Sequence, residues 1–229
     1  MLYPINLVIF DFDGVLVDSE YLSCKIAANL ISEAGYKITA QELSEQYSGY
    51  VFKDILKDLE KKTECCFSAN LLDKMRQNFI DAIPNELNII KDATEAIKKI
   101  NIEYCICSNS TTDDITLILK QLDIYDLFES KIFAAPDIGT KKLKPDPNVF
   151  LCAALKYKVE PQHCLVIEDS VPGILAAKKA GMRVVGFTGG SHTYQKHSNI
   201  LSEAGSETVY ADHSELPIII KALQEWKDD

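Results

Sequence analysis

The stretch that most constrains the fold is residues 7–18, LVIFDFDGVLVD, an apolar run followed by acidic residues and a glycine. Leu7–Phe10 has the continuous hydrophobicity of a strand that is buried on both faces of a parallel sheet. Asp11 and Asp13 follow where that strand should end, and Gly14 permits a sharp turn. Two carboxylates so close together are costly unless a positive group neutralises them. The stretch therefore begins a polar site or is only an Asp/Gly-rich turn.

Helical spacing replaces the strand pattern after Asp18 and continues to about residue 85. Thr39-Ala40-Gln41-Glu42 is a capping box that begins one of these helices. We expect the last helix of the region to end before Pro84, because proline disrupts a helix interior. No strand is predicted here, so residues 18–85 form one all-helical insertion.

Short apolar strands alternate with helices beyond the insertion, as is typical of a parallel sheet. Strands are predicted at residues 103–107, 131–134, 164–167, 183–187 and 208–210. The predicted fold class is therefore α/β, with a Rossmann-like parallel sheet core and helices on both of its faces. Residues 1–17 and 86–229 would form this discontinuous core, and residues 18–85 would be a small all-α domain inserted after the first strand.

Composition restricts the possible partners and the compartment. With 34 acidic and 24 basic residues, the net charge of −10 argues against nucleic acid or an anionic membrane surface as a partner. A phosphorylated small molecule remains possible, because such a site needs only local positive charge. No apolar run approaches the length of a membrane span, and Met1 leads directly into a strand without a signal peptide. Seven cysteines without a framework spacing predict reduced thiols in a cytoplasmic protein.

Polar residues recur at or just beyond four predicted strand ends. They are Asp11 with Asp13, Ser108 with Asn109, Lys144, and Glu168 with Asp169. If the strands are parallel, all of them meet at one rim of the sheet, where open α/β sheets bind their ligands. The carboxylates are oxygen ligands that suit a hard cation such as Mg²⁺, which could offset their repulsion of a phosphate.

The basic and neutral members of this set suit an anion. Ser108 and Asn109 precede a helix start, whose free N–H groups and positive dipole end attract phosphate. Pro145 biases Lys144 to an extended conformation outside the following helix, which makes it a fixed cation at the rim. Each residue also has a simpler interpretation, as a helix cap, a surface lysine or a turn. Their recurrence at four successive strand ends favours a joint site.

In chain order these residues resemble the four motifs of the haloacid dehalogenase superfamily. The motifs are residues 11–18 (DFDGVLVD), Ser108-Asn109, residues 144–147 (KPDP), and Glu168-Asp169-Ser170 with Gly173. The helical insertion resembles the cap domain of the subfamily that includes β-phosphoglucomutase and sugar-phosphate phosphatases. The resemblance spans most of the chain. It implies a Mg²⁺-dependent phosphatase that hydrolyses a small phosphorylated metabolite, either a sugar phosphate or a phosphorylated sugar acid, through an aspartyl-phosphate.

The resemblance also implies a role for each acidic residue. Asp11 would be the nucleophile that attacks phosphorus. Asp13 would protonate the leaving alcohol, would then deprotonate the hydrolytic water, and would ligate Mg²⁺ through its backbone carbonyl. Asp169 would ligate Mg²⁺ directly, with Glu168 beside it directly or through water.

The remaining implied positions bind the substrate. Ser108, the backbone amide of Asn109 and Lys144 would hold the transferring phosphoryl group. The loop of residues 48–53 lies between two cap helices and would face the active site. There Gly49 would permit close approach, while Tyr50 and Lys53 would contact the non-transferring part of the substrate. Ser19 and Glu20, at the junction with the first cap helix, are further candidates for substrate contact.

Other functions compete with this interpretation. A phosphosugar mutase would usually carry an arginine in residues 48–53 and a histidine in the first cap helix, where this chain has Ser23. A hydrolytic dehalogenase would lack Asp13 and Asp169, and a non-catalytic phosphate-binding protein would not need the nucleophile Asp11. His192 and His197 are interpreted as loop histidines rather than metal ligands. We expect a monomer or a weak homodimer.

Overall fold

The centre of the protein is a six-stranded parallel sheet with helices on both faces. The computed structural model describes residues 3–47, 50–63 and 65–225. The strands are β1 (Leu7–Phe10), β2 (Glu103–Ser108), β3 (Ile132–Ala134), β4 (Cys164–Glu168), β5 (Arg183–Phe187) and β6 (Val209–Tyr210). The helices are α1 (Ser19–Glu33), α2 (Ala40–Tyr47), α3 (Phe52–Lys62), α4 (Leu71–Glu86), α5 (Ala93–Lys99), α6 (Thr112–Gln121), α7 (Tyr125–Phe128), α8 (Asn148–Tyr157), α9 (Val171–Lys179), α10 (His197–Ala204) and α11 (Leu216–Glu225).

The strand order β3-β2-β1-β4-β5-β6 places β1 in the interior of the sheet, between β2 and β4. Val8 and Phe10 face one apolar cluster, which includes side chains of α5, α6 and α11. Leu7 and Ile9 face a second cluster, built with α8, α9 and α10. Because both faces of β1 are covered, its sequence is apolar throughout rather than alternating. The predicted α/β class and its parallel sheet are confirmed.

Four helices, α1 to α4, stand between β1 and β2 and pack around an apolar cluster of their own. That third cluster includes Ala27, Ile31, Leu43 and Leu59. The described residues of this region contain no strand. Its division from the sheet as a separate domain, residues 18–85, stays a prediction.

Of two local predictions for this helical region, the capping box at residues 39–42 is confirmed and the helix end before Pro84 is not. At the start of α2 the capping box forms as predicted: the Thr39 N–H donates to Glu42 Oε2 at 2.8 Å, and the Glu42 N–H donates to Thr39 Oγ1 at 3.1 Å. The predicted stop before Pro84 is wrong, because α4 continues to Glu86. A proline near the end of a helix removes one backbone hydrogen bond, and the Leu87 N–H still reaches the Ile83 carbonyl at 3.3 Å.

Two expectations from composition can be compared with the structure. All seven cysteines are free thiols in the structure. Among the residues with described coordinates, no helix is both long enough and apolar enough to cross a membrane.

Candidate active site

Three carboxylates meet at the rim formed by the carboxyl ends of β1 and β4. Asp11 directly follows β1, Glu168 ends β4, and Asp169 follows it. One oxygen of each lies within 4.8 Å of the other two, and all three residues are buried. Parallel pairing of β1 with β4 causes this convergence, because it aligns Phe10 with Ile167 and so brings the next residues together. Three carboxylates at such spacing fit a hard divalent cation that prefers oxygen ligands.

Lys144 supplies the positive charge that the sequence required at this rim. Its side chain is 3% exposed, and Nζ donates to Asp11 Oδ1 at 2.8 Å and to Glu168 Oε1 at 2.7 Å. A third bond from Nζ reaches the Cys107 carbonyl at 2.8 Å. The Lys144 N–H donates to Asn109 Oδ1 at 2.8 Å, which ties the loop after β3 to the end of β2. Lys144 is therefore a fixed part of the site rather than a surface lysine.

The charges of this cluster are not balanced by the protein alone. Burial and the negative charge of Glu168 raise the pKa of Asp11 well above its ordinary value, although Lys144 opposes the shift. Burial and Glu168 raise the pKa of Asp169 in the same way. Burial alone would lower the pKa of Lys144, but the charges of Asp11 and Glu168 raise it above its ordinary value. One ammonium among several carboxylates leaves an excess of negative charge, which a divalent cation would neutralise.

Glu168 is held in place by the start of α9. Its Oε2 accepts from the Ser170 N–H at 3.0 Å and from Ser170 Oγ at 2.9 Å. Ser170 Oγ also caps α9 by accepting from the Gly173 N–H at 3.1 Å. A Cβ on Gly173 would lie 1.8 Å from Glu168 Oε1, so only glycine leaves room for this carboxylate. Ser170 and Gly173 of the fourth motif thus fix the orientation of Glu168.

Asp13 occupies a different environment from Asp11. Its Oδ1 accepts from Ser19 Oγ at 2.7 Å, while its Oδ2 accepts from Ser110 Oγ at 2.7 Å and from Ser108 Oγ at 3.2 Å. Three hydroxyl groups therefore hold this carboxyl group. Ser110 is not among the residues predicted from the sequence, although it stands in the polar run that follows the end of β2.

Gly14 lets the first motif approach the fourth. Its φ of 75° lies in the left-handed region, and a Cβ there would be 1.9 Å from Asp169 Oδ2. Any larger residue would therefore displace Asp169. The conformation of this turn and the space beside it both require glycine.

The two histidines interpreted as loop residues lie buried against Asp169. His192 Nε2 is 3.0 Å from Asp169 Oδ2, and His197 Nε2 is 2.8 Å from the Asp169 carbonyl. His197 begins α10 instead of lying in the loop. Burial lowers the pKa of His192 and, with the charge of His192, lowers that of His197 to about 4. Ser44 of α2 donates to the His192 carbonyl at 2.7 Å, so this loop also contacts the helical region.

A cavity of about 260 Å³ contains most of the predicted site residues, and we call it the catalytic cavity. From the sheet side it is lined by Asp11, Asp13, Ser108, Asn109, Lys144 and Asp169. From the helical side Glu20, Tyr47 and Tyr50 reach it, and Tyr50 is 62% exposed at the opening. Burial and the charges of Asp169 and Asp13 raise the pKa of Glu20 to about 8.

The predicted substrate residues of the helical region do not all reach this cavity. Lys53 is exposed and lines a neighbouring cavity of about 420 Å³, which also contacts Asp13. Gly49 lies outside the described residues. Tyr50 is thus the one predicted residue from the loop that lines the catalytic cavity among those that the structure describes.

Comparison with known proteins identifies the family. A sequence profile described as haloacid dehalogenase-like hydrolase matches residues 8–187, and the chain belongs to this family. A conserved haloacid dehalogenase-like protein of unknown function from Agrobacterium tumefaciens str. C58 is 39% identical, with a TM-score of 0.91 over 96% of this chain and 100% of the other. The resemblance predicted from the four motifs is confirmed.

Relatives whose names state an activity or a bound ligand are less similar to this chain in sequence. The 6-phosphogluconate phosphatase of Escherichia coli (strain K12) is 26% identical over 189 residues, which cover 82% of this chain and 85% of the relative. A HAD family hydrolase from Deinococcus radiodurans R1, solved with bound phosphate and sodium, is 27% identical with a TM-score of 0.82. That likeness covers 96% of each chain.

Proposed function

We propose that this protein is a Mg²⁺-dependent phosphatase of a small phosphorylated metabolite, and that it acts through an aspartyl-phosphate on Asp11. The observation that carries the proposal is the arrangement around Lys144, whose ammonium bonds both Asp11 and Glu168 in a buried cluster that opens into a cavity. Pure phosphate binding needs no carboxylate at the centre of the anion site. Asp11 lines that cavity, and this position supports attack of its carboxylate on phosphorus.

In the first step, an Asp11 carboxylate oxygen forms a bond to phosphorus while the bond from phosphorus to the leaving oxygen breaks. Asp13 donates its proton to that oxygen, so an alcohol leaves. In the second step, Asp13 takes a proton from water, whose oxygen attacks phosphorus and releases phosphate from Asp11. The three hydroxyl bonds to Asp13 support this role, because they fix its carboxyl group between the rim and the helical region.

Three residues that line the catalytic cavity would hold the phosphoryl group. Lys144, Ser108 and the Asn109 backbone amide supply positive charge and donors for its oxygens. When bound, Mg²⁺ supplies further positive charge beside the phosphate, held by Asp11, Asp169, Glu168 and the Asp13 backbone carbonyl. Glu168 would contribute directly or through water, since it also bonds Lys144 and Ser170.

The helical region would act as the cap that selects the substrate. We assign it residues 18–85 and the core residues 1–17 and 86–229, because α1 to α4 pack around their own apolar cluster. Gly49, Tyr50 and Lys53 would face the leaving group.

The seven free cysteines support the cytoplasm as the compartment. A monomer or a weak homodimer would suffice, because one chain supplies every proposed site residue.

The proposed substrates are sugar phosphates and phosphorylated sugar acids. The similarity to 6-phosphogluconate phosphatase supports this class. Hydrolysis is favoured over a mutase reaction because residues 48–53 contain no arginine. A mutase needs a firm hold on a second phosphate, and a lysine such as Lys53 offers only a point charge where arginine offers a bidentate contact.

Phosphorus NMR of a hexose 1-phosphate, a hexose 6-phosphate and 6-phosphogluconate would test the proposal. We expect inorganic phosphate to accumulate in the presence of Mg²⁺, without stimulation by a hexose bisphosphate. Conversion of the 1-phosphate into the 6-phosphate with little free phosphate would identify a mutase instead. The Asp11→Asn variant is the control for contaminating phosphatases, and it should release none.

A further inference from the structure

The cavity of about 420 Å³ beside the catalytic cavity has a different chemistry from it, and we call it the apolar cavity. Its walls come mainly from α1, α4 and α6, and they include Ile26, Met75, Phe79, Ile83 and Leu117. The volume is within the usual range for a cavity that binds a small molecule. The proposed reaction uses only Asp13 and Lys53 of the residues that line this space.

The two cavities adjoin at the residue that would protonate the leaving group. Asp13, Ser23 and Ser110 line both, whereas Asp11 and Lys144 line the catalytic cavity and not the apolar one. In the proposed function, which this inference rests on, phosphorus lies at Asp11 and the leaving oxygen at Asp13. The part of the leaving group beyond that oxygen therefore lies on the side where the apolar cavity begins.

The lining of each cavity indicates which part of a substrate it would hold. Hydroxyl groups placed between Ile26, Met75 and Phe79 would find few partners, and each unpaired one would weaken binding. The hydroxyl-rich part of a sugar instead fits the catalytic cavity, where Glu20 and Tyr50 supply polar groups. The apolar cavity favours a flat ring with little polar surface on its faces.

One pair of charged side chains at this cavity indicates that the ring carries polar groups at its edge. Arg76 Nη2 of α4 lies 2.6 Å from Asp114 Oδ1 of α6, and Thr111 Oγ1 donates to Asp114 Oδ2 at 2.6 Å. Both Arg76 and Asp114 line the cavity. A donor beside an acceptor suits the edge of a heteroaromatic ring, which itself carries carbonyl and N–H groups.

We propose that the preferred substrate is a phosphorylated sugar bearing a heteroaromatic ring, of the nucleoside 5′-monophosphate type. The phosphate lies at Asp11, the sugar in the catalytic cavity, and the ring in the apolar cavity between Phe79 and Leu117. Ring burial raises kcat/KM relative to a sugar phosphate without a ring, because remote binding energy contributes to the stabilisation of the transition state.

Steady-state kinetics with UMP, AMP and ribose 5-phosphate test this assignment, since the three share the phosphorylated ribose. We expect kcat/KM for at least one nucleotide to exceed that for ribose 5-phosphate by a factor of ten or more. Equal values with and without the ring would overturn the inference, while phosphate release from ribose 5-phosphate would leave the proposed function standing. Release from neither these compounds nor p-nitrophenyl phosphate would instead overturn the proposed function.

A cavity-filling variant locates the effect. Leu117→Trp places a large side chain in the apolar cavity, and it should reduce the ratio of nucleotide to ribose 5-phosphate kcat/KM at least fivefold. Leu155→Trp, on α8 at a position that is 80% exposed and lines neither cavity, is the matched control and should leave the ratio unchanged. Circular dichroism verifies that both variants fold. An unchanged ratio in a folded Leu117→Trp enzyme would place the ring elsewhere and overturn the assignment.

Discussion

The catalytic cavity and the apolar cavity meet at Asp13 but are built by different parts of the fold. Strand ends form one wall of the first, where Lys144 bonds both Asp11 and Glu168. Helices form the second, whose apolar side chains come mainly from α1, α3, α4 and α6. A strand end is fixed by its pairing with two neighbours, while a helical wall can change residue by residue without disturbing the sheet. In the proposed function, the strand ends carry the chemistry and the helices select the substrate.

The largest effect is expected from Asp11→Asn, which tests whether the strand-end wall carries the reaction. The amide has the shape of the carboxylate but is a poor nucleophile, so we expect kcat to fall by about 10³-fold or more. The fold should survive, because Lys144 keeps its bonds to Glu168 and the Cys107 carbonyl. Removal of one of several crowded negative charges should leave the melting temperature unchanged or raise it.

Phosphate release with 6-phosphogluconate or p-nitrophenyl phosphate measures this loss, and thermal unfolding measures the stability. Asp126→Asn, an exposed change on α7, is the matched control and should behave as the parent enzyme. Near-native turnover by a folded Asp11→Asn protein would refute the nucleophile assignment.

A smaller effect should follow from changing a metal ligand on the same wall. Asp169→Ala removes one of three carboxylates that lie within 4.8 Å of one another. We expect the Mg²⁺ concentration for half-maximal activity to rise by about 100-fold, since even partners of ligands are worth 10–100-fold. Calorimetric titration of Mg²⁺ gives a readout that does not depend on turnover. Full activity in the presence of a chelator would contradict the metal requirement.

Changes in the loop before α3 and at the start of α3 should alter the ranking of substrates instead of the chemistry. Tyr50→Phe and Lys53→Met each remove one polar group that could contact the leaving group. We expect each to change the kcat/KM ratio of a hexose phosphate to p-nitrophenyl phosphate by about fivefold, the value of one typical hydrogen bond. Lys156→Met, on the exposed side of α8, is the control for a lost surface charge. Equal losses on both substrates would mean that these residues support folding or catalysis and do not determine specificity.

The smallest effect concerns stability and tests the electrostatic link between the two walls. The pKa of Glu20 is raised from 4.5 to about 8. Between these values the unfolded chain is ionised while the folded protein retains the proton, so this group destabilises the fold increasingly as pH rises. Glu20→Gln should therefore stabilise the chelator-treated protein more at pH 8 than at pH 5, by on the order of 1 kcal/mol.

Urea unfolding at several pH values measures this difference. Glu33→Gln, an exposed change on the same helix, should give no pH-dependent difference. A Glu20→Gln effect that is the same at every pH would show that the carboxyl group is not protonated in the folded state.

The residues of the strand-end wall could be predicted because their signals are local. A continuous apolar strand followed by Asp11, Asp13 and Gly14 defines a strand end, and strand ends of a parallel sheet must share one rim. The order of the motifs along the chain then predicted that Lys144 and Asp169 lie at this same rim. The stop at Pro84 failed for the opposite reason: a local rule was overridden where the loss of one hydrogen bond near a helix end is tolerated.

The fold class, the family and the rim on which the charged residues stand follow from the amino-acid pattern. The three-dimensional packing was needed to show that Ser110 holds Asp13, that His192 lies against Asp169, and that an apolar cavity begins beside them. The physical reason is the separation along the chain. Ser44 and His192 stand 148 positions apart, and Arg76 and Asp114 stand 38 apart. Side-chain periodicity reports how each segment faces the core, but it carries no information about which distant segment lies opposite.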